Sequence, residues 1–393
     1  MRVKIKDICK IVSGGDKPST VSTAPTNECN VPIYGNALDK EGLYGFTNFS
    51  TIDEEAITIA ARGSNCGASF LRKKPFVPIV RLLTLIPDKE KILPEYLYYV
   101  IKNTNFKSTG SGQPQITIPQ VSECEINITE DINKQKNISA VLYAIDKKIE
   151  LNKKINDELE AIAKTLYDYW FLQFEFPNEE GKPYKSSGGK MVWNEELKRE
   201  IPEGWEVGNL YDIADFINGL ACQKYRPVND TEKLPVIKIT EMHDGITDNT
   251  EFVRSDIPEN NIINDGDILF SWSATLETMI WTGGKCGLNQ HIFKVIPNNI
   301  CKYYVFMQLS SYIGNFVKMA EARKTTMGHI TTEHLKQSKI VLPNKAIAEM
   351  FDKKISDVFR MIIKNNQEKR ELMNVRDFLL PLLMNGQVGF KEK

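Results

Sequence analysis

The sequence predicts an α+β chain: two similar domains with twisted mixed sheets, separated by a long antiparallel two-helix coiled coil. Three observations predict it. A mixed segment near residues 4–129 is followed by a long apolar-striped segment, and the same succession returns at 209–385. The two striped segments superpose at one constant offset, which carries Ile138 onto Phe351 and Asn152 onto Asn365. Within each mixed segment, short β-branched runs alternate with Gly, Pro and Asn.

In the first mixed segment VPIYGN, AITIAARG and RLLTLIP read as strands; in the second, LPVIKIT, GDILFSWS and HIFKVIP do. A helix follows each set, PEYLYYVIKN in one and KYYVFMQLSSYIGNFVKM in the other. Asp7-Ile8 with Gly14 matches Asp212-Ile213 with Gly219. The strand end Ala61-Arg62-Gly63 matches Ser271-Trp272-Ser273, and the loop GSGQPQ matches RKTTMGH. Trp272 and Trp281 are read as core.

The helical stripes run Ile138, Leu142, Ile145, Ile149, Ile155, Leu159, Ile162, Leu166 and Phe351, Ile355, Val358, Ile362, Leu372, Val375, Leu379, Leu382. Their alternating spacing is that of a coiled coil. Each helix spans about 40 residues, roughly 60 Å at 1.5 Å rise. Antiparallel packing about a pseudo-two-fold would set Asn152 against Asn365, Ile162 against Ile355 and Leu142 against Val375. A buried polar pair of that kind fixes register. It would also place the two mixed segments at opposite ends of a rod, suited to a ligand with two-fold character, of which duplex DNA is the commonest.

The predicted boundaries are 1–130 for the first domain, 131–171 for the first long helix and 172–204 for an extended linker rich in Pro, Gly, Ser and charge. The second domain takes 205–343 and the second long helix 344–393. The first helix ends on Tyr169, Trp170 and Phe171, and the second on Leu382 and Leu383. Such apolar ends either pack on their own domain or dock a partner.

Bulk properties narrow the function. The chain has 393 residues, net charge −1 and no apolar run near the roughly 20 residues a membrane span needs. The 7 cysteines form no Cys-x-x-Cys pair and there are 4 histidines, so neither a zinc site nor a disulfide framework is expected, and the expected compartment is the cytoplasm. No Asn-Pro-Pro-Tyr or Asp-Pro-Pro-Tyr element, phosphate loop or nuclease cluster is present. A self-sufficient DNA-modifying enzyme would need one of these; a coiled-coil scaffold would need none.

Between Ala60 and Glu125 basic residues outnumber acidic ones, and local patches govern phosphate contact. The DNA-contact candidates are Arg62, Lys73, Lys74, Ser111, Gln113 and Gln115 in the first domain and Lys224, Arg226, Arg323, Lys324 and His329 in the second. Gln113 and Gln115 can offer a bidentate amide to adenine; Arg323 and Lys324 can address guanine or phosphate.

The repeat of domain and long helix, the junction FEFPNEEGKPYKSSGGKMVWNEELKREIPEGWEVGNLYDIADFINGL and the closing IVLPNKAIAEMFDKKI resemble the DNA specificity subunits of type I restriction-modification enzymes. Pro202, Gly204, Trp205, Leu210, Asp212 and Ile213 carry the most specific part of that likeness. The resemblance covers essentially the whole chain. It implies two target recognition domains, each reading half of a bipartite double-stranded DNA site, and a helical spacer that binds two methyltransferase subunits. It also implies restriction subunits as further partners. S-adenosylmethionine, ATP and magnesium would belong to those partners, leaving this chain without a cofactor and non-catalytic.

Overall fold

The computed structural model describes residues 1–106, 114–229, 231–322 and 329–389. It divides into two compact units, Met1–Ile149 with Leu372–Lys393, and Glu150–Glu371. The helices Ile132–Tyr167 and Lys345–Met384 each contribute to both units.

In the first unit the strand Ala56–Ile59 is buried at all four positions. Its Ala-Ile-Thr-Ile run is what a central strand covered on both faces requires. It pairs antiparallel with Ser69–Arg72 on one side and Leu83–Pro87 on the other, and Leu83–Pro87 pairs in turn with Cys9–Ser13. A second sheet is centred on Val31–Tyr34, antiparallel to Leu43–Thr47 and parallel to Val77–Pro78. Arg2–Lys4 pairs with Glu125–Asn127. The helix Pro94–Lys102 starts with proline in its first turn, where no donor is lost, and turns Tyr96, Leu97, Val100 and Ile101 onto the main sheet.

The second unit repeats this plan with one strand added to the smaller sheet. The main sheet runs Ala214–Asn218, Ile292–Pro297, Ile268–Ser271, Glu277–Ile280, again with a fully buried central strand. Lys233–Ile237 is antiparallel to Phe252–Arg254 and parallel to Cys286–Leu288, which gains a further partner in Ile262–Ile263. Glu206–Asn209 pairs with Lys339–Leu342. Gly14 and Gly219 hold equivalent places: a Cβ would lie 2.7 Å from the Pro78 carbonyl carbon at one and 2.0 Å from the Asn289 oxygen at the other.

Within each unit the long helices run antiparallel. In the first, Ile138 and Leu142 share a core with Leu380, Leu383 and Met384. In the second, Asn152 Nδ2 donates to Glu368 at 2.8 Å and Asn365 Nδ2 donates to Asn156 Oδ1 at 2.9 Å. The expected Asn152–Asn365 pair is therefore replaced, and the register is displaced by about one helical turn. The reason is the composition of the seam. It is lined by Asn156, Ala163 and Tyr167, which a search for aliphatic residues passes over, whereas Ile162 is 56% exposed and Val375 46% exposed.

Residues 172–204 are not the extended connector expected. Met191–Asn194 and Arg199–Pro202 form a hairpin. Phe176 stacks on Tyr184 and Trp205 at 4.6 and 4.9 Å between ring centroids, and Phe174 and Ile201 are buried with them. Aromatic burial outweighs the local preference of the Gly and Pro residues for open chain.

Candidate nucleic-acid interface

In each unit the same three segments converge at one end of the main sheet: the end of the central strand, the turn before the next strand, and the segment that enters the capped helix ahead of the last strand. In the first unit Ile116 N donates to Ala61 O at 2.9 Å and Gly63 N to Pro114 O at 3.1 Å, so Arg62 and Gln115 face each other across an isolated antiparallel bridge. Asn36 ties the corner together. Its Oδ1 accepts from Ala61 N and its Nδ2 donates to Val80 O, both at 2.8 Å. Thr117 and Gln120 then form a capping box that starts the helix Ile118–Ser122.

The turn held by Asn36 is unusual. Leu82 N donates to Ile79 O at 3.0 Å, and the two central residues, Val80 and Arg81, have φ of 52° and 59°. Turns with a left-handed centre normally carry Asn-Gly, because a β-branched residue there is strained. The strain, of order 1–3 kcal/mol per residue, is not offset by packing of the side chains, since Val80 is 56% exposed and Arg81 is exposed. Three contacts hold the turn: the Asn36 bond, Val80 N to Gly15 O at 2.9 Å and Arg81 N to Gly14 O at 3.0 Å.

The second unit builds the corner with other chemistry. Ile330 N donates to Trp272 O at 2.9 Å, and Gly63 and Ala274 both take positive φ, of 82° and 57°. These markers align Ala61-Arg62-Gly63 with Trp272-Ser273-Ala274, one residue along from the sequence-based match. Trp272, expected in the core, is half-buried; its ring lies 5.6 Å from His291 and 5.5 Å from His329, and its Nε1 donates to Asn218 Oδ1 at 3.2 Å. Trp281 is core, at 3% exposure. The turn is closed by Ile292 N to Asn289 O at 3.1 Å, with Gln290 and His291 at its centre and Gln290 N donating to Leu220 O at 2.9 Å. Thr331 and His334 form the matching capping box. His243 Nε2 lies 3.1 Å from Glu277, whose carboxyl burial pushes up and the histidine partly restores.

Of the residues singled out from sequence, Arg62, Gln115 and His329 lie in these corners. Ser111, Gln113, Arg323 and Lys324 lie outside the described residues. Lys73 is engaged within its own unit by Glu95 at 2.8 Å, a hydrogen-bonded pair that raises its pKa against the opposing effect of burial, while Lys74 is exposed. The neighbouring Arg72 is wholly structural: burial lowers its pKa, and it stacks 3.6 Å from the Tyr34 ring centroid and pairs with Glu41 at 3.1 Å. Exposed Arg226 lines a cleft with Gln223, Lys233 and Phe252, and exposed Lys224 ends the short helical turn Cys222–Lys224 beside it. Val80, Arg81 and Gln290 were not singled out. The signal for Arg81 was a lone charge between two apolar runs.

The docking candidates divide. Trp170 and Phe171 are 3% and 4% exposed and pack on Phe351, so they are core of their own unit, not surface. Leu383 is core likewise, at 5%. Tyr169 is 37% exposed and Leu382 half-buried. A helix end this apolar is consumed by its own fold because the second helix and the residues around Trp205 supply the matching face.

The type I restriction modification DNA specificity domain matches residues 1–161 and 202–374. The chain belongs to that family. As a type I specificity subunit it is the DNA-recognising, non-catalytic component of its system. It is 25% identical over 376 residues to the HindI specificity subunit of Haemophilus influenzae, covering 80% of this chain and 81% of that one. It is 27% identical over 344 residues to the MjaIX specificity subunit of Methanocaldococcus jannaschii, covering 82% and 75%. The fold of the specificity subunit is similar to the solved S subunit from M. genitalium, with TM-score 0.63 at 15% identity, over 100% of this chain and 96% of the other. Among its described residues no helix is long and apolar enough to cross a membrane.

Proposed function

We propose that this specificity subunit reads a two-part duplex DNA target, one part with residues 1–130 and the other with residues 205–343. The observation that carries the reading is the repetition of one sheet plan with different chemistry at the same corner: Arg62, Arg81 and Gln115 in one unit, Trp272, Gln290, His291 and His329 in the other. One frame presenting two sets of base-edge and phosphate-directed groups supports recognition of two different half-sites. Arg323 and Lys324 serve the second half, and Gln113 and Ser111 the first. The half-sites lie about one DNA turn apart, so that both are reached from one face.

The subunit docks two methyltransferase subunits through its paired helices, with Tyr169 and Leu382, equivalent positions that remain accessible, at the two contacts. Those partners bring S-adenosylmethionine, and restriction subunits bring ATP and magnesium chemistry. Tyr169→Glu and Leu382→Glu should each remove one methyltransferase from the assembly, read as particle mass.

Mapping methylated adenines in cells carrying the chain with its methyltransferase tests the reading. A motif of two specified parts around an unspecified spacer is expected; one continuous motif would overturn it. A scaffold without DNA recognition would show no affinity that falls steeply with salt.

A further inference from the structure

We infer that the turns at residues 79–82 and 289–292 are the base-reading turns of the two units, with Arg81 and Gln290 as specificity-determining side chains. The inference rests on the two-part reading above and assigns residues within it.

The two turns occupy the same place in the repeat. Each follows the parallel strand of the smaller sheet, Val77–Pro78 or Cys286–Leu288, and leads into the strand beside the centre of the main sheet. Each is closed by an i to i+3 backbone bond, and each accepts the same clamp, Val80 N to Gly15 O and Gln290 N to Leu220 O, both at 2.9 Å. The clamps bring the chain so close to Gly14 and Gly219 that neither leaves room for a Cβ. The turn is thus clamped at the same place in both units, left-handed at its centre in the first and not in the second, and its tip carries Val-Arg in one and Gln-His in the other.

In the first unit the tip keeps Val-Arg where Asn-Gly would fit without strain. Neither side chain is buried, so folding alone does not explain the choice. The Asn36 tie holds the backbone of this turn to Ala61, the residue before Arg62. An exposed arginine on a rigid turn has the geometry for two parallel hydrogen bonds to guanine O6 and N7, and Val80 beside it offers an apolar contact for a thymine methyl. At the second tip Gln290 has the amide that pairs with adenine N6 and N7. Next to it, His291 lies against Trp272, and its Nδ1 is buried without a hydrogen-bond partner among the described residues.

The test uses the full chain expressed with its methyltransferase, reading the methylated motif across the genome. Arg81→Ala should relax one base position in one half of the motif, with discrimination there falling about tenfold to a hundredfold and the other half unchanged. Gln290→Ala should do the same in the other half. The double change Val80→Asn with Arg81→Gly keeps the turn and removes the guanidinium; it should melt no lower than the parent chain and still lose the same base position. An unchanged motif with Arg81→Ala and Gln290→Ala overturns the inference. So does a double variant that restores what Arg81→Ala loses, because turn geometry rather than the arginine would then be the determinant. A parent motif in one continuous part would overturn the two-part reading instead.

Discussion

At one equivalent position of the helix seam the first unit uses charge where the second uses carbon. Asp146 accepts from Arg376 Nη1 and from the Tyr99 hydroxyl, each at 2.9 Å, and Lys102 lies 3.8 Å away. Burial opposes the charge on Arg376, but Asp377 and Asp146 more than offset it; burial and Asp146 together push the Tyr99 hydroxyl far up. The equivalent helix positions in the second unit are Phe359 and Ala163, 2% and 1% exposed, with Phe359 stacked on Tyr303 at 4.4 Å. At that position the two units hold the same helix pair by opposite means. The repeat therefore conserves helix geometry and sheet order, and it leaves the filling of each seam, like the tip of each corner turn, free to differ.

The comparison is sharpened first by deleting a fully buried aromatic side chain of the carbon seam. Phe351 is fully buried against Tyr167, Trp170 and Phe171. Phe351→Ala should cost about 4 kcal/mol in denaturant unfolding, and Ile138→Ala, at the matching place in the first unit, about 3. Equal or reversed losses would break the idea that aromatic packing bears more of the second seam.

A somewhat smaller effect separates the seams chemically. Asp146→Ala leaves Arg376 with Asp377 as its remaining ion-pair partner and strands the Tyr99 hydroxyl in a mostly buried setting, and should cost about 2 kcal/mol. The double change Asp146→Phe with Arg376→Ala gives the first unit the carbon pair of the second and should cost only about 1. A double variant less stable than the single one would mean that the first unit has come to require its ion pair.

How much of this was legible follows from the range of each signal. The long helices were, because a stripe recurring every three or four residues is local information. Their register was not: Asn156 and Ala163 carry no hydrophobic signal, and only the opposite helix shows that they line the seam. Trp170 and Phe171 read equally as core or as docking surface until Phe351 and Trp205, far along the chain, close over them. The strand end at Arg62 was marked by its glycine and by the polar loop beyond it. Val80-Arg81 was hidden, since a left-handed turn is normally announced by Asn or Gly and here is enforced by Asn36 and Gly14 from elsewhere. Lys73 looked available for phosphate because its partner Glu95 sits on a different element.

The smallest expected difference between the units is electrostatic and lies on the surface. Lys4 and Lys6 both reach Glu123, at 2.7 and 2.5 Å, and hydrogen bonding to Lys4, then Lys6, holds the Glu123 carboxyl down to about 2. The matching positions in the second unit are Asn209, Tyr211 and Gln337, which hold no such pair. A carboxyl depressed on folding stabilises the folded state above its unfolded pKa, and that contribution fades as pH falls through the folded one. The first unit should therefore lose stability between about pH 4.5 and 2 through this group, the second should not at its counterpart, and Glu123→Gln should remove the dependence. Both lysines and the glutamate are well exposed, so added salt should shrink the effect as it screens the pair. An acid unfolding profile of the Glu123→Gln chain that tracks the parent through that window would show that the contact contributes nothing measurable to the first unit.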